Sequence, residues 1–549
     1  MTPNNSADFS RRTFLQRSSL AAAAVAANPV ASFAQGTEQI LGAEEAKAPT
    51  KISEGAATLR ALFHSPGGKP LDSLRIKTLH ARDLANDPLP QAIVIAEGRA
   101  RIALAPHEPL QLSCRLNVPG FGEVYCYADN NGLGYSKPET IEFVVAACET
   151  RLHRVREAAD AAKKSGVPSD PVFEKYLQAA SRPISKRSGA EQIAVAYEAL
   201  ANGLHAGEKL ALNMARHRIS KFAAPRKDFL LGAAISGWQR GGEFEKHFLE
   251  AFNFGTISWY SWSQKPDPVE QRIDYARMDQ SIQWCLDRKI IPRGFGYVYL
   301  TPGATPEWFR AWPYEKILPE YKRIVEMTTR RYHGRLPYVE VINEAHDKAN
   351  LFHLSHQQIL ELAREACRSA RAGSSTVKRM INNCCAWAEY AVRSNADGAR
   401  RWSPFRFLSD CMSAGVEFEV VGLQLYYPKQ DLFEIERMLD RFKKFQRPIM
   451  ITEIACNSVD GLDAASMRPK DLVPGWHGPW TETMQADWLE GIYTMLFSKP
   501  EFAGIGWWDF CDGGGHFWPN GALLRKDLSP KESFLRLLKL QKDWGVARV

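Results

Sequence analysis

The chain has 549 residues, of which 45% are hydrophobic and 11% aromatic, enough for a large core and for two or three structural units. Its formal net charge is +8, from 70 basic and 62 acidic residues, and no run of Lys or Arg stands out. The charge therefore gives no indication of a nucleic-acid partner. After the N-terminal region no window approaches about 18 consecutive apolar residues, so we expect no membrane span.

The first 34 residues have the pattern of an export signal. Arg11 and Arg12 precede a short, weakly apolar Ala-rich stretch that ends in small residues before Gln35. This resembles a bacterial twin-arginine signal cleaved near Ala34, and the alternative is a disordered Ala-rich tail. The pattern predicts the Tat translocon as a partner during export and a periplasmic or extracellular location. Residues 35–55 are polar and Ala-rich, and we expect a flexible lead-in there.

Residues 56–148 are predicted to form a small all-β sandwich. About seven short alternating runs, the last of them TIEFVVAAC at 140–148, are separated by the turn sequences SPGGKP, NVPGFG and DNNGLG. Such a unit can bind carbohydrate or pack against its neighbour. We favour packing, because no cluster of exposed aromatic residues indicates a binding face.

Residues 149–222 are predicted to form a helical connector, because apolar residues recur there at steps of three and four. We interpret its histidines His153, His205 and His217 as surface or packing residues. HLSH at 353–356 has metal-like spacing but no companion cluster. The sequence also contains no phosphate-binding loop and no dinucleotide fingerprint. We therefore expect no metal and no cofactor.

The ten cysteines fit no metal-binding spacing, and buried free thiols are the simpler interpretation. One disulfide among Cys114, Cys126 and Cys148 remains an open alternative.

Residues 223–549 are predicted to form an α/β domain, a (β/α)8 TIM barrel. Near-continuous apolar strands alternate with amphipathic helices, and in this fold the chemistry lies at the C-terminal ends of the strands. The eight predicted strands are DFLLGAAIS, FNFGTIS, IPRGFGYVYL, YVEVINEA, KRMINNCC, FEVVGLQLYY, PIMITEIA and GIGWWDF.

Two glutamates lie at such strand ends. Glu344 ends the fourth predicted strand and Glu453 lies at the same relative place on the seventh. Two carboxyl groups facing one another across a barrel mouth can cleave a glycosidic bond, one by protonating the leaving oxygen and the other by attacking carbon or activating water. Asn343 is placed to bind a sugar hydroxyl. No G-x-S-x-G motif supports Ser/His/Asp hydrolysis.

The segments VEVINEA and ITEIA resemble those of glycoside hydrolase family 10, the xylanase-like members of the retaining barrel glycosidases. Further similarity over about 200–545 includes GEKLALNMARHRI, the pair Arg293-Gly294, GLQ, Gln485 and the C-terminal GWWDF region. The resemblance implies an enzyme that cleaves β-glycosidic bonds of a xylan-like polysaccharide by double displacement. It also implies that Glu344 is the acid/base and Glu453 the nucleophile. Because two close carboxylates resist sharing negative charge, we expect the pKa of Glu344 to be raised while Glu453 is ionised.

Three sugar-contacting positions depart from the family. Phe295 follows Arg293-Gly294 where the family has His, and residues 258–262 replace an Asn and a Lys. After GLQ, Tyr426 or Tyr427 stands where the family has a second His. We therefore expect a decorated or chemically different glycan to be preferred. Another specificity within the clan, or a non-catalytic glycan-binding barrel, remains the alternative. The candidate substrate-binding residues are Asn343, Gln424, Tyr426, Trp262, Tyr299, Trp507, Trp508 and Trp518.

Overall fold

The computed structural model describes residues 51–184, 186–258, 273–346, 349–392, 401–461, 466, 475–513 and 518–546. Over these residues the chain forms fifteen strands and twelve α-helices. No helix within the described ranges is both long and apolar enough to cross a bilayer.

Two small sheets precede the barrel, in agreement with the predicted all-β unit. One sheet has the strand order β3-β4-β1-β7 and the other β2-β5-β6. A continuous core between them includes Leu59, Ile102, Leu112 and Val124. The elements are β1 (Thr58–Leu62), α1 (Ser73–Ile76), β2 (His80–Arg82), β3 (Ile93–Ala96), β4 (Arg99–Ala103), β5 (Gln111–Val118), β6 (Gly122–Ala128) and β7 (Thr140–Glu142).

The last predicted strand of this unit is mostly helical. Strand β7 ends at Glu142, and a helix of 22 residues begins at Phe143, so the prediction of a strand through Cys148 was wrong. The apolar run Phe143–Cys148 has no alternating polar partner, and it continues directly into a helical pattern of buried residues at Arg151 and Val155. The longer helical period therefore determines its structure.

Three helices follow the sheets. The second of them has Pro171 in its first turn and is capped by Asp170, whose carboxylate accepts the N–H groups of Val172 and Phe173. The third helix spans 32 residues and packs against the first two and against helices of the barrel. These helices are α2 (Phe143–Lys164), α3 (Pro171–Ala180) and α4 (Gly189–Ser220).

The remaining eight strands close a parallel barrel in the order β10-β11-β12-β13-β14-β15-β8-β9. All eight predicted barrel strands are present, which confirms the predicted fold class. The strands are β8 (Leu230–Ala234), β9 (Phe254–Ser258), β10 (Ile291–Phe295), β11 (Tyr338–Asn343), β12 (Lys378–Asn383), β13 (Val420–Tyr426), β14 (Ile449–Ala455) and β15 (Phe502–Trp507).

The helices of the barrel region pack outside the strands around a large apolar core. They are α5 (Gly242–Ala251), α6 (Ala276–Asp287), α7 (Tyr314–Arg331), α8 (His356–Gly373), α9 (Pro404–Ser413), α10 (Leu432–Arg441), α11 (Glu482–Phe497) and α12 (Glu532–Trp544), with short 3-10 turns at Trp238–Arg240, Glu307–Phe309, Glu389–Val392 and Phe442–Phe445.

A buried network of ion pairs joins α2 to α10. The guanidinium of Arg151 lies 2.6 Å from Asp431 and 3.6 Å from Glu434, and Arg154 lies 2.8 Å from Asp129 and 3.0 Å from Glu434. All five side chains are at most 7% exposed. The contact between the N-terminal units and the barrel is therefore fixed by charge as well as by packing.

Candidate active site

Glu344 and Glu453 lie at the C-terminal ends of β11 and β14. Glu344 is half-buried and directly follows β11, where its φ of 51° places a non-glycine residue in the left-handed region. Its backbone N–H donates to the carbonyl oxygen of Asn382, 3.1 Å away. This backbone conformation costs free energy for a residue with a Cβ, and strained conformations of this kind are most often found at functional sites. Glu453 is 4% exposed.

The strands that carry these residues have irregular registers just before them. The pairing of β11 with β12 shifts between Glu340 and Ile342, and that of β13 with β14 shifts between Leu423 and Gln424. A bulge changes which face of a sheet the following side chains occupy. The shifts therefore set which side chains reach the mouth of the barrel.

Strand β13 supplies a hydrogen-bond donor to each carboxyl group. Gln424 Nε2 donates to Glu344 Oε1 over 2.5 Å, and Tyr426 OH donates to Glu453 Oε2 over 2.6 Å. Residues two apart on a strand share a face, so one strand orients both carboxyl groups from inside the barrel. Tyr299 OH is a second donor to Glu344, 2.9 Å from Oε2.

Asn382, at the end of β12, connects the two sides of the site. Its Oδ1 accepts the hydroxyl of Thr452 over 2.6 Å, which fixes the orientation of the amide. Its Nδ2 then donates to Asn343 Oδ1 at 3.1 Å and lies 3.5 Å from Glu453 Oε1. Asn343 is fully buried, and its Nδ2 has no hydrogen-bond partner within the described residues.

A third glutamate and an arginine lie inside the barrel. Glu340 of β11 is completely buried, and Arg293 of β10 is 1% exposed. Arg293 Nη1 lies 3.3 Å from Glu340 Oε2, and its Nη2 donates to Thr256 Oγ1 at 3.0 Å and to the Thr452 carbonyl oxygen at 3.3 Å. The arginine therefore braces three strands of the barrel beneath the mouth.

Burial favours the protonated form of two carboxyl groups, those of Glu453 and Glu340. Burial, and then the negative charge of Glu344, raise the pKa of Glu453 to about 8. Burial and the charge of Glu453 raise the pKa of Tyr426 well above its usual range, so its hydroxyl remains a donor. Burial is also the largest cause that raises the pKa of Glu340. From the sequence we expected a raised pKa at Glu344, and this stays a prediction. In the structure Glu453, the more deeply buried of the two, has a raised pKa.

Aromatic side chains flank the carboxyl groups on both sides. Trp508 lies against Phe295, with ring centroids 5.2 Å apart, and Phe295 contacts Tyr299. On the other side Trp518 lies 5.2 Å from the ring of Tyr426. Ring faces of this kind bury the C–H surface of a sugar while its hydroxyl groups bond at the edges.

Of the candidate substrate-binding residues, one is placed differently from expectation and one cannot be placed. Trp507 is fully buried, its indole N–H donates to the Gly521 carbonyl oxygen at 3.0 Å, and its ring faces Tyr493 of α11. It is therefore a packing residue in this structure, because alternation along β15 directs it away from the barrel interior. Trp262 lies outside the described residues.

The sequence analysis missed Asn382 and Glu340. The signal for Asn382 was present, since two adjacent amides, Asn382 and Asn383, end an apolar strand. Glu340 interrupts the apolar run of β11 in the same way. Polar residues on an otherwise apolar barrel strand are costly unless they have partners in the interior.

The fold and the two carboxyl groups define a class: a closed barrel of eight parallel strands with paired glutamates at its C-terminal mouth is the architecture of a (β/α)8-barrel glycoside hydrolase. Residues 221–539, which are more than half of the chain, match glycosyl hydrolase family 10. The chain therefore belongs to this family. It is accordingly a glycoside hydrolase of the xylanase-like kind. No curated protein sequence matches the chain.

Solved structures with a similar fold include xylanase 10B from Thermotoga maritima, at 17% identity over 60% of this chain and 98% of that one, with a TM-score of 0.46. Xylanase B from Clostridium stercorarium F9 is similar at 18% identity over 56% of this chain and 96% of that one, with a TM-score of 0.44.

Proposed function

We propose that the protein is a retaining glycoside hydrolase that cleaves β-glycosidic bonds within a xylan-like polysaccharide. The observation that carries this proposal is the convergence of Glu344 and Glu453, each held by a donor from the same strand, β13. A barrel that only bound glycans would have no need of two carboxyl groups whose charges oppose one another at the mouth. Catalysis is therefore favoured over simple binding.

The proposed reaction has two displacements. Glu453 attacks the anomeric carbon while Glu344 gives its proton to the leaving oxygen, which breaks the glycosidic bond and forms a glycosyl ester. Glu344 then takes a proton from water, which attacks the same carbon and releases Glu453. The configuration at the anomeric carbon is retained.

These two reaction steps require a proton on Glu344 and a negative charge on Glu453 in the substrate complex. Tyr426 OH and Asn382 Nδ2 both point at Glu453 and favour its ionised form, which offsets part of the cost of burial. Glu344 accepts hydrogen bonds from Tyr299 and Gln424. We infer that the leaving oxygen of the substrate displaces one of these two donors, which removes a hydrogen bond that favours the ionised form of Glu344. The proton held by Glu453 then transfers to Glu344, which leaves Glu453 ionised.

We propose that the substrate is held by one buried amide and by the flanking aromatic side chains. Asn343 Nδ2 is the donor for a sugar hydroxyl, since it is buried at the site without a described partner. Trp508 on one side, and Tyr426 with Trp518 on the other, supply faces for pyranose rings. Gln424 and Tyr299 contact Glu344 directly, so they position the acid/base as well as any sugar beside it.

The direct test is proton NMR of the first products released from xylan or an aryl β-xyloside. Initial formation of the β-anomer supports the proposal, and initial formation of the α-anomer would exclude Glu453 as nucleophile. Binding of polysaccharide without hydrolysis of any glycan or activated glycoside would support the glycan-binding alternative.

We further propose that unsubstituted linear xylan is a poorer substrate than a decorated or chemically different glycan. Phe295 stands where the family has a sugar-binding histidine, and it is packed between Trp508 and Tyr299. Each lost hydrogen bond to a sugar hydroxyl removes roughly 1–3 kcal/mol of binding or transition-state stabilisation. Comparison of kcat/KM on linear xylan, arabinoxylan, glucuronoxylan and unrelated β-glycans tests this, and it is wrong if linear xylan is the best substrate.

We propose that residues 56–148 and 149–222 act as packing units for the barrel at 223–549. Tyr127 OH donates to Gln430 at 3.1 Å, and Arg82 donates to the Trp387 carbonyl oxygen at 2.7 Å, both across this contact. Residues 223–549 expressed alone should therefore be less stable than the whole chain. A barrel fragment of full stability and activity would contradict this role.

We also propose export through the twin-arginine pathway, on the basis of Arg11 and Arg12 in the first 34 residues. Replacement of both by Lys should keep the precursor inside a bacterial cell that exports the unaltered chain. Unchanged export of the double variant would rule this route out.

A further inference from the structure

Three metal-ligating side chains meet where the N-terminal sheets, α4 and the barrel come together. His205 and Glu208 belong to α4, and His477 lies in the connection between β14 and α11. One nitrogen or oxygen atom from each lies within 4.8 Å of the other two. We propose that these residues form a binding site for a zinc-like divalent cation, which fastens the three parts of the molecule to one another.

Two independent features bring the donors together. A separation of three residues places His205 and Glu208 on the same face of α4. His477 comes from the barrel, and its neighbour Trp476 forms an antiparallel bridge to Gly122 at the start of β6. Its Nε2 lies 2.7 Å from Glu208 Oε2. The cluster therefore depends on the correct docking of all three regions.

The carboxylate is already fixed in the manner of a metal ligand. Glu208 is 4% exposed, and its Oε1 accepts the indole N–H of Trp476 at 2.9 Å and the backbone N–H of Leu432 at 3.1 Å. These two donors occupy one oxygen and leave Oε2 facing His477. Outer contacts of this kind orient ligands around bound metals and raise their affinity.

The first imidazole is oriented in a comparable way. His205 Nε2 donates to the carbonyl oxygen of Gly120 over 2.9 Å, so in the neutral ring Nδ1 retains the lone pair. The rings of Phe121 and Tyr176 lie 4.9 Å and 5.0 Å from that of His205. These apolar neighbours restrict solvent around one side of the cluster.

The donor set selects the class of cation. Two imidazoles and one carboxylate suit zinc and other late first-row divalent ions, whereas Ca²⁺ and Mg²⁺ prefer oxygen ligands alone. Ligands about 2.0–2.1 Å from a tetrahedral zinc ion lie roughly 3.4 Å from one another. On binding, side-chain rotation would therefore widen the 2.7 Å separation of His477 Nε2 and Glu208 Oε2 and shorten the longer separations, which reach up to 4.8 Å. Water would complete the coordination.

The competing explanation is a purely hydrogen-bonded junction, in which His477 and Glu208 pair without a metal. The two explanations differ in measurable stoichiometry. The full chain, freed of metal with a chelator, is titrated with zinc chloride alone by isothermal titration calorimetry. We expect saturable binding of about one zinc ion per chain, and a rise in the unfolding temperature that a chelator reverses.

Variants locate the site. His477→Ala and Glu208→Gln each remove a ligand, and we expect a loss of affinity at least as large as the roughly 10–100-fold typical of outer-contact variants. Trp476→Phe removes the indole donor to Glu208 and should weaken binding by about 10–100-fold. His217→Ala, on the same helix but outside the cluster, is the matched control and should bind as the wild type does. Far-ultraviolet circular dichroism verifies folding, and His205→Gln replaces any variant that fails to fold.

Cobalt provides a second measurement that does not depend on activity. Co²⁺ bound tetrahedrally by two imidazoles and a carboxylate should give visible absorption bands in the wild type that are absent from His477→Ala. Zinc binding that is undetectable in the wild type, or equal in the wild type, His477→Ala and Glu208→Gln, would overturn the proposal.

Discussion

The barrel mouth and the contact between α2 and α10 both bury carboxyl groups, but they stabilise them in different ways. At the contact, Glu434 faces three guanidinium groups, those of Arg154, Arg437 and Arg151, at 3.0 Å, 3.4 Å and 3.6 Å. At the mouth, Glu453 accepts from the neutral donors Tyr426 and Asn382.

The pKa values differ accordingly. Burial opposes ionisation at both places, but Arg154, Arg437 and Arg151 lower the pKa of Glu434 to about 2. Burial and the charge of Glu344 raise the pKa of Glu453 to about 8. The three arginine partners of Glu434 thus keep that carboxylate charged, whereas the neutral donors at Glu453 leave a carboxyl group that can gain and lose a proton. That capacity is what general acid and nucleophile chemistry requires.

The largest expected effect is on catalysis at the mouth. Glu453→Gln removes the nucleophile and should lower kcat by roughly 10⁴-fold or more on every substrate. Glu344→Gln should lower kcat/KM on polysaccharide by about 10²–10⁴-fold, yet retain activity on aryl glycosides whose leaving groups need no proton, with partial rescue by azide. Steady-state rates on both substrates measure this.

Glu417→Gln is the matched control for these variants, because its side chain is 72% exposed. Equal losses for Glu344→Gln and Glu453→Gln on the activated glycoside, without azide rescue, would argue against separate roles.

The next largest effect concerns the contact between α2 and α10. Arg154→Ala leaves Asp129 and Glu434 buried without this partner, and should lower the free energy of unfolding by about 3–5 kcal/mol. Arg182→Ala breaks an exposed pair with Glu198, 57% and 54% exposed, and should cost about 0–1 kcal/mol. Denaturant titrations of both variants test the difference, and similar small losses would show that the buried network contributes little.

Tyr426→Phe should have a smaller effect, because it removes one donor and keeps the ring. A hydrogen bond to a charged group contributes about 1.5–3 kcal/mol, so kcat/KM should fall by roughly 10–100-fold. Loss of the donor also raises the pKa of Glu453 further, and the acidic limb of the pH–rate profile should move to higher pH. Tyr427→Phe is the control, since that ring packs against Trp480 instead. An unshifted acidic limb would contradict the assigned contact.

Counted per pH unit, the smallest effect is a dependence of stability on pH with opposite signs in the two regions. The folded pKa of Glu453 is raised from 4.5 to about 8, so the folded state binds more protons between these values. Stability should therefore fall as pH rises through that window, by at most about 1.4 kcal/mol per pH unit, and Glu453→Gln should remove this slope. For Glu434, whose folded pKa is lowered to about 2, stability should instead be lost as pH falls from 4.5 towards 2.

Unfolding free energies measured from pH 5 to 8 for the wild type and Glu453→Gln, and from pH 5 to 2 for the wild type and Glu434→Gln, test these slopes. Parallel curves for wild type and variant in either window would contradict the corresponding pKa.

The barrel could be predicted from the sequence because its strands are near-continuous apolar runs bounded by polar helices. The paired glutamates could be predicted for a related reason. Glu344 and Glu453 lie at the ends of such apolar runs, where a charged residue is unusual. Details that depend on register could not be predicted in this way. The shift between Glu340 and Ile342 depends on the pairing of β11 with β12, and no single strand specifies it.

For the same reason the sequence could not show which of the two tryptophans at the end of β15 reaches the site. Trp507 and Trp508 are adjacent and equally aromatic, but alternation places the first against α11 and the second beside Phe295. The strand predicted after Glu142 was wrong for a different reason. A short apolar run does not distinguish strand from helix unless the residues that follow it are also considered. Asn382 was overlooked because its partners come from β11 and β14, which are distant along the chain.

The cysteines have a practical consequence. All ten are free thiols, eight are buried, Cys511 is partly exposed, and Cys385 alone is exposed. Burial raises the pKa of Cys114, Cys285 and Cys367 to about 12, so these thiols stay protonated and unreactive at neutral pH. Cys385 lies two residues beyond the C-terminal end of β12, on the side of the barrel where Asn382 reaches Glu453. Cys385 is thus the preferred attachment point for a fluorescent label beside the mouth of the barrel. The fluorescence of this label could report saccharide binding without an introduced cysteine.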